Sequence, residues 1–311
     1  AIMGPAVSAL AFPHPPRDLS EEELTRRPDL HFITTKNKSL RSPHPPPLPH
    51  HFTSGHGLSC ALSRSLRIPL IYIHDETFHY TIIYSHGNAE DVGISLPFLD
   101  YLSYRCRANV VAYEYAGYSV AEGRPSEANC YQCINAAFDF LVSPDGSGKA
   151  RTDPSRVVIF GRSLGTGVST DLAARQPDIA GLVLQSPLES GARVILGNAA
   201  SLALMPFDIF LNYRKIHRVR CPVFIMHGEE DRVVPCANGR ALYALLDQRP
   251  DAERLRYPAK WYPDAGHNDM PTEDCLKQIA EFLQYLRGTA ANLAQANGDA
   301  DEKSTTGCST H

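Results

Sequence analysis

The strongest constraint on this chain is the pentapeptide Gly161-Arg162-Ser163-Leu164-Gly165, which follows an apolar run at 156–160 and precedes a stretch of helical spacing. The pattern predicts a sharp turn from a strand to a helix, with the Ser163 hydroxyl exposed at the carboxyl edge of a sheet. The two glycines leave room for a strained backbone and for close packing of the helix. Taken alone, a Gly-x-Ser-x-Gly pentapeptide is equally consistent with an ordinary turn, so its assignment as a nucleophile turn depends on the rest of the sequence.

The sequence after this elbow supplies the two partners that a nucleophilic serine needs. A histidine must take the serine proton and a carboxylate must orient the histidine, and enzymes built on such an elbow carry them in the order serine, acid, histidine. Asp231 follows the strand-like run 222–226, and His267 lies in the turn 263–269 before a helix. We therefore predict Ser163 as the nucleophile, His267 as the base and Asp231 as the orienting acid.

Several other carboxylates compete with Asp231 for this role. They lie in the same two turns and are Glu229, Glu230, Asp264 and Asp269. Glu230 is the strongest competitor because it is adjacent to Asp231 in sequence. The pattern of residues alone leaves this choice open.

Acyl transfer also requires hydrogen-bond donors aimed at the oxyanion of the transition state. The backbone N–H that follows the nucleophile, that of Leu164, is the first candidate. The strand-like run 81–85 leads into a His-Gly turn, and the backbone N–H of Asn88, or alternatively of Ala89, is the second. His86 precedes the serine in the chain, so we interpret it as a support for this loop and not as the base.

Strand-like and helix-like segments alternate along the chain, which predicts the α/β class with a mostly parallel central sheet and helices on both faces. Hydrophobic residues make up 43% of the composition, which is ample material for a buried core. The strand candidates are short, apolar and bounded by turn residues: 66–73, 80–85, 109–113, 157–160, 181–185, 222–226 and 255–262. The helix candidates have helical length and spacing: 126–142, 164–175, 237–247 and 272–287.

We predict three parts along the chain. Residues 1–60 form an amino-terminal arm whose Pro- and His-rich stretch, 42–51, is typical of an extended linker. Residues 61–288 form one catalytic domain, because α/β folds of this length commonly make a single unit. Residues 289–311 are polar and small, which predicts a disordered tail.

Composition argues against several classes of partner. The net charge is −4 and the isoelectric point is near 6.4, and the chain has no basic stripe of the kind that binds nucleic acid. The one local excess of basic residues, at 214–220, is interpreted as a solvated helix face and not as a site for lipid headgroups. No uninterrupted apolar window of about 18 residues occurs that would span a bilayer.

The eight cysteines are spread over predicted helices, strands and loops, which is typical of reduced, intracellular usage. Cys130 and Cys133 have the spacing of a redox or zinc pair, but they fall inside a predicted helix, so we assign them neither role. The chain has neither a dinucleotide-binding fingerprint nor a phosphate-binding Gly-Lys-Ser/Thr signature. We predict no cofactor and no metal.

From about Leu10 to Gly288 the sequence resembles the α/β-hydrolase domain-containing protein 17 group of protein depalmitoylases, within the serine hydrolases of the α/β-hydrolase superfamily. The resemblance is carried by motifs in one order: 85–93 (SHGNAEDVG), 112–118 (AYEYAGY), 123–127 (GRPSE), the serine elbow with Thr166 behind it, 171–175 (DLAAR), 186–194 (SPLESGARV), 227–231 (HGEED) and 266–269 (GHND).

The resemblance implies the α/β-hydrolase fold and a membrane-associated thioesterase activity on S-acylated cysteines. It places the family's serine, aspartate and histidine on Ser163, Asp231 and His267, and so favours Asp231 over Glu230. Arg162 departs from the family, whose members tend to have glutamine at this position.

The α/β-hydrolase fold commonly carries a lid after its sixth strand, and here a short segment between Gln185 and Pro222 is rich in apolar residues. These residues are Leu196, Leu202, Leu204, Met205, Phe207, Ile209, Phe210 and Leu211. Because a fatty chain gains about 0.8 kcal/mol per buried methylene, we predict that Leu204, Met205, Phe207 and Phe210 bind the acyl chain. Packing of the same residues into the domain core is the alternative, and the sequence leaves it open.

Together these inferences predict a serine hydrolase that cleaves acyl thioesters or esters, most specifically a palmitoyl-protein thioesterase. Its substrate would be an S-acylated protein or a lipid-like acyl compound. We expect a cytoplasmic monomer with peripheral contact at the cytoplasmic face of membranes and no nucleic acid partner. The alternatives are a general carboxylesterase or lipase, a serine peptidase of the same fold, or a catalytically silent scaffold with this fold.

Replacement of the nucleophile tests the triad. The Ser163→Ala variant should lose turnover by orders of magnitude, because removing a triad serine elsewhere costs about 10⁶-fold in kcat. Labelling by a fluorophosphonate probe should disappear with it, while circular dichroism should show an intact fold. Unchanged hydrolysis in this variant would refute the assignment of Ser163.

Overall fold

The computed structural model describes residues 26–35, 65–144, 151–194 and 208–305, with side chains as far as residue 289. These residues form an eight-stranded sheet in the order β1-β2-β4-β3-β5-β6-β7-β8. The strands are β1 (Leu30–Thr34), β2 (Arg67–Ile73), β3 (Thr81–Ser85), β4 (Asn109–Tyr113), β5 (Val157–Arg162), β6 (Gly181–Gln185), β7 (Val223–Gly228) and β8 (Lys260–Tyr262). Strand β2 pairs antiparallel with β1 and β4, whereas β3 to β8 run parallel.

Helices cover both faces of the sheet. They are α1 (Val92–Cys106), α2 (Glu127–Val142), α3 (Gly165–Arg175), α4 (Cys236–Leu245) and α5 (Thr272–Thr305). Leu99 of α1 and Phe282 of α5 belong to one hydrophobic cluster. Ile134 of α2, Leu172 of α3 and Leu242 of α4 belong to a second cluster. The sheet therefore separates two cores, with α1 and α5 on one side and α2, α3 and α4 on the other.

The central strands are buried on both faces, which explains why their sequences are apolar without alternation. In β3, Ile83 joins the cluster beneath α2 and α3, while Ile82 and Tyr84 join the cluster beneath α1 and α5. Every residue of β3 is buried. Successive side chains of a strand point to opposite faces, so each core receives part of the same strand.

The strand order reverses between β3 and β5. The next strand in the chain after β3 is β4, which lies on one side of β3 in the sheet. The strand after that, β5, lies on the other side of β3. In the register of this pair, Ser85 at the end of β3 is opposite Gly161. A crevice opens at the carboxyl ends of parallel strands at such a reversal, and ligands bind there in open α/β sheets. The serine elbow and the His-Gly turn both lie at this point.

The predicted α/β class, with a mostly parallel sheet and helices on both faces, is confirmed. Strand β1 corrects the predicted arm at 1–60, because residues 30–34 pair with β2 and extend the sheet by an edge strand. The guanidinium of Arg67 lies 3.5 Å from the ring centroid of Phe32 across this pair. The segment becomes a strand through pairing with residues more than thirty positions away, which no local pattern reveals.

The carboxyl-terminal part also differs from prediction. Helix α5 continues to Thr305, whereas a disordered tail was predicted from residue 289. The stretch 290–296 contains several alanines, which have the highest helix propensity, and this outweighs its low hydrophobicity.

The predicted linker 42–51 and residues 195–207 of the predicted lid lie outside the described residues. Among the described helices, none combines the length and the apolar character that crossing a bilayer requires.

The core beneath α1 and α5 generates a stability prediction. Phe282 is fully buried, and its ring centroid lies 5.7 Å from that of Phe224 and 4.8 Å from that of Tyr257. The Phe282→Ala variant should lower the free energy of unfolding by about 3–5 kcal/mol, because it leaves a cavity in this packed cluster. Tyr104, which is 73% exposed on α1, provides the control, and Tyr104→Ala should change it by less than about 0.5 kcal/mol. Urea denaturation measures both, and equal effects would contradict this account of the core.

Candidate active site

The elbow holds Ser163 in a strained conformation, with φ at +52° in the left-handed region. A Cβ atom at Gly165 would lie 2.1 Å from the carbonyl oxygen of Ser85, and one at Gly161 would lie 2.5 Å from the carbonyl oxygen of Gly165. Only glycine allows these approaches. The two glycines therefore let α3 begin directly against β3, which forces the sharp turn at the serine.

Hydrogen bonds on both sides hold the backbone of Ser163. Its N–H donates to the carbonyl oxygen of Gln185, at 2.9 Å. Its carbonyl oxygen accepts from the Thr166 hydroxyl at 2.6 Å and from the Thr166 N–H at 2.9 Å. These contacts compensate for the unfavourable φ angle, since strain persists only where the surroundings over-determine the conformation.

The structure brings Ser163, His267 and Asp231 together. The His267 Nε2 atom lies 3.0 Å from the Ser163 Oγ atom, and the His267 Nδ1 atom lies 2.7 Å from the Asp231 Oδ2 atom. Because an ionised carboxylate only accepts hydrogen bonds, Nδ1 donates to it and Nε2 is left to accept the serine proton. This arrangement is the one in which a histidine can activate a serine hydroxyl.

Asp231 is kept ionised by hydrogen bonds from two backbone N–H groups and from His267. The Nε2 atom of His227, which lies 2.9 Å from the Val234 carbonyl oxygen, adds a longer contact. The Asp231 Oδ1 atom accepts from the backbone N–H groups of Val233, at 2.9 Å, and Val234, at 2.8 Å. Its Oδ2 atom accepts from His267 and lies 3.2 Å from the Nε2 atom of His227. Burial raises the pKa of Asp231, but the hydrogen bonds from His227 and His267 lower it by more, so this pKa lies well below its usual range.

The competing carboxylates lie elsewhere. Glu229 is paired with Arg240, and the Asp269 Oδ1 atom accepts from the backbone N–H of Gly266 at 2.5 Å. Glu230 and Asp264 are exposed to solvent. Asp231 is the carboxylate that reaches His267 among the described residues. Asp231 could be predicted from its position after β7. The contact between Asp231 and His227 could not be predicted, because it depends on the conformation of the turn that follows β7.

The two predicted oxyanion donors lie on adjoining segments. Leu164 is at the amino-terminal cap of α3, where backbone N–H groups have no partner inside the helix and the helix dipole favours negative charge. Asn88 lies in the turn after β3, and its side-chain oxygen accepts from the Tyr118 hydroxyl at 2.7 Å. The contact between Gly165 and Ser85 draws these two segments together.

A buried pair of polar side chains supports the turn after β3. The His86 Nε2 atom lies 3.0 Å from the Glu114 Oε1 atom, and the His86 Nδ1 atom lies 2.9 Å from the carbonyl oxygen of Gly87. Glu114 also accepts from the backbone N–H of Val92, at 3.0 Å. Both ring nitrogens of His86 are therefore engaged within the loop, in keeping with its interpretation as a support. The role of Glu114, which lies in the 112–118 motif, was not predicted, because its contact joins residues 28 positions apart.

Of the predicted acyl-binding residues, the structure describes Phe210. Phe210 is buried in the core, where its ring meets Tyr131 at 5.8 Å between centroids and covers Gly167. The alternative interpretation, packing in the core, describes its position in this structure. Leu204, Met205 and Phe207 lie outside the described residues. A cavity of about 220 Å³ instead adjoins His267 on the side of α1 and α5.

The cysteines of the described residues are free and buried. Cys130 and Cys133 face the core from α2, and burial raises the pKa of Cys133 to about 12. A thiol of that pKa is protonated at neutral pH and is a poor nucleophile and metal ligand. In the described part of the chain, no group of three His, Cys, Asp or Glu side chains has the arrangement of a metal site.

Comparison with known proteins identifies similar sequences. The sequence profile of the prolyl oligopeptidase family matches residues 202–292, which include Asp231 and His267. Alpha/beta hydrolase domain-containing protein aho-3 of Caenorhabditis elegans is 38% identical over 209 residues, which cover 67% of this chain but only 57% of the nematode protein. Alpha/beta hydrolase domain-containing protein 17B of Xenopus tropicalis is 36% identical over 228 residues, covering 72% of this chain and 71% of the frog protein.

Solved structures show the same fold at low sequence identity. The Pyrococcus furiosus esterase Pf2001 superposes with a TM-score of 0.58 at 17% identity, covering 88% of this chain and 98% of the esterase. A monoacylglycerol lipase of Paleococcus ferrophilus has a TM-score of 0.51 at 17% identity, covering 70% of this chain and 99% of the lipase. These likenesses confirm the predicted α/β-hydrolase fold.

The contacts of Asp231 generate a test of the acid. Asp231→Asn should lower kcat by about 10⁴-fold, because an amide no longer holds His267 in the tautomer that accepts the serine proton. Glu230→Gln provides the control, since this neighbouring carboxylate is exposed, and it should retain nearly full activity. Steady-state kinetics on one ester substrate measure both variants. A larger loss in Glu230→Gln than in Asp231→Asn would reverse the assignment.

Proposed function

This chain belongs to the α/β-hydrolase domain-containing protein 17 family, and from that premise we propose that it hydrolyses acyl thioesters, with palmitoylated protein cysteines as its substrates. Membership of this family makes the chain a hydrolase of the α/β-hydrolase superfamily. The proposal adds the substrate and the roles of the site residues. The activity of the whole protein is part of the proposal as well, because the matched region covers only 57% of the nematode relative.

The observation that carries the proposal is the hydrogen-bonded chain from Ser163 through His267 to Asp231. Its three members come from the ends of β5, β8 and β7, and they meet at the carboxyl edge of the sheet. A serine so connected is an acyl acceptor, because His267 takes its proton as the new bond forms. Metal or cofactor chemistry is not needed for such a step.

In the first half of the reaction, the Ser163 Oγ atom attacks the thioester carbonyl carbon and His267 Nε2 takes the hydroxyl proton. The tetrahedral intermediate collapses with cleavage of the carbon–sulfur bond, and the thiol leaves with the proton from His267. In the second half, His267 removes a proton from water, which attacks the acyl-enzyme. The fatty acid is released, and Ser163 regains its proton.

The backbone N–H groups of Leu164 and Asn88 are assigned to the oxyanion in both halves. Each such donor stabilises a transition state by about 2.7–4 kcal/mol, because it is oriented before the charge develops. The strained turn at Ser163 and the support of the loop by His86 and Glu114 orient these two N–H groups. Both keep the donors fixed while the substrate changes charge.

Two considerations favour a thioester over the other substrates of this fold. The resemblance of the motifs to protein depalmitoylases covers the chain from the turn after β3 to the histidine loop. In addition, a thiolate is a better leaving group than an amine, so thioester cleavage needs less assistance from His267 than peptide cleavage. A general carboxylesterase or lipase remains the second candidate, and the site geometry serves it equally. Action at the cytoplasmic face of membranes is part of the proposal, since palmitoylated proteins are found there.

A matched set of substrates tests the proposal. The palmitoyl group should be presented to the purified full chain as a peptide-cysteine thioester, as an oxyester of the corresponding serine peptide, and as an amide. We expect kcat/KM to be at least about tenfold higher for the thioester than for the oxyester, with no measurable cleavage of the amide. Release of palmitate, measured by mass spectrometry, reports all three reactions.

The Ser163→Ala variant supplies the background rate for each substrate. Preference for the oxyester, with slow thioester cleavage, would assign the chain to the carboxylesterases or lipases. Cleavage of internal peptide bonds would assign it to the peptidases. Either result would contradict the proposed thioesterase function while leaving the triad in place.

A further inference from the structure

The cavity beside His267 lies between α1, the end of β5 and the histidine loop. It has a volume of about 220 Å³. Its walls combine apolar side chains with hydrogen-bonding groups. The lining residues used below are Tyr84, Phe98, Met270, Glu90, Arg162 and Asn268.

The position of the cavity relative to the triad identifies the part of a substrate that it faces. The reacting carbonyl carbon must lie at Ser163, and its oxygen must point to the N–H groups of Leu164 and Asn88. The leaving atom must then lie next to His267 Nε2, because that nitrogen delivers its proton. His267 lines the cavity, whereas Ser163, Leu164 and Asn88 do not. The cavity therefore lies on the leaving-group side of the site.

The size of the cavity fits a leaving group better than a fatty chain. A cavity of about 150 Å³ binds one benzene molecule, so a cavity of about 220 Å³ holds a group only somewhat larger than a benzene ring, and a palmitoyl chain is much longer than that. One or two amino-acid side chains fit this volume. Tyr84, Phe98 and Met270 supply an apolar wall for them.

The polar wall is built around Arg162. Its guanidinium forms an ion pair with Glu90 and donates to the Asn268 Oδ1 atom at 2.7 Å. The second carboxylate oxygen of Glu90 accepts from the backbone N–H of Gly87, at 3.1 Å. Arg162 thus connects the elbow to the turn after β3 and to the histidine loop. The guanidinium is largely buried, with 17% of the side chain exposed.

This wall retains hydrogen-bond donors. A guanidinium has five N–H groups, and those that remain beyond the bonds to Glu90 and Asn268 have no partner within the described segments. The same holds for the side-chain NH₂ group of Asn268. Because Glu90 neutralises the charge of Arg162, the wall is suited to neutral acceptors such as peptide carbonyl groups and less to carboxylates or phosphates.

We propose that this cavity binds the peptide segment that carries the acylated cysteine, with Arg162 and Asn268 donating hydrogen bonds to its backbone carbonyl groups and Tyr84, Phe98 and Met270 contacting a neighbouring side chain. The inference rests on the proposed thioesterase function and deepens it. It makes Arg162, at the position where relatives tend to have glutamine, a residue that determines specificity for the leaving group.

Two thioesters with the same acyl group test the inference. One carries the acyl group on the cysteine of a short peptide with blocked ends, and the other carries it on N-acetylcysteamine, which lacks the peptide. The readout is the ratio of kcat/KM for the peptide thioester to kcat/KM for the small thioester. We expect the wild-type ratio to exceed about ten and to fall about tenfold in Arg162→Met, because the hydrogen bonds from the guanidinium are lost.

Two further variants make the comparison specific. Arg162→Gln retains amide donors without the charge, so it should keep more of the ratio than Arg162→Met. Arg105→Met removes an arginine that pairs with Glu273 outside this cavity, and the ratio should not change. Thermal unfolding of each variant verifies that the fold is retained.

The outcomes separate this inference from the proposed function. Equal losses with both thioesters in Arg162→Met would show that Arg162 only positions His267 through Asn268, and would overturn the inference while the thioesterase function stands. A changed preference for acyl-chain length without a changed ratio would assign the cavity to the acyl chain and overturn it as well. If the wild-type protein cleaves neither thioester but cleaves the matched oxyester, the proposed function itself fails.

Discussion

The close approach of α3 to the end of β3 is the constraint on which the site depends. A single Cβ atom at Gly165 would lie 2.1 Å from the carbonyl oxygen of Ser85, so the contact exists only because the residue is glycine. The contact has two consequences. It places Ser163 in the left-handed region with its hydroxyl next to His267, and it draws the turn that carries Asn88 against the start of the helix. One packing contact therefore positions both the proposed nucleophile and the proposed oxyanion donors.

The loop of Asp231, the histidine loop and the turn after β3 must also be held in position relative to this elbow, and polar contacts do so. Asp231 binds two backbone N–H groups of its own turn as well as two histidines, so its loop and the histidine loop are joined at one carboxylate. Glu114 holds the turn after β3 through His86 and Val92. Arg162 connects that turn to the histidine loop. Each of these contacts joins two or more segments, which makes the relative positions of the loops specific.

Much of the fold and the triad could be predicted, because their signals are local or follow from chain order. The parallel strands are short apolar runs, and Ser163, Asp231 and His267 each follow one of them. Long-range contacts left no such signal. Strand β1 exists through its pairing with β2, and the roles of His227 and Glu114 depend on neighbours that the turns bring close. Phe210 was assigned to the acyl chain from its hydrophobicity, although its ring packs in the core.

Chain order and residue type alone determined the α/β class, the nucleophile elbow and the sequence of serine, acid and histidine, because glycine conformation and strand periodicity act over a few residues. Tertiary structure decided which carboxylate meets His267, since Glu230 and Asp231 are neighbours in sequence and only the turn after β7 turns one inward. It also decided where the cavity lies and that Arg162 and Glu90 form its wall. Those contacts join segments that are distant in sequence, and only the folded sheet brings them within hydrogen-bonding distance.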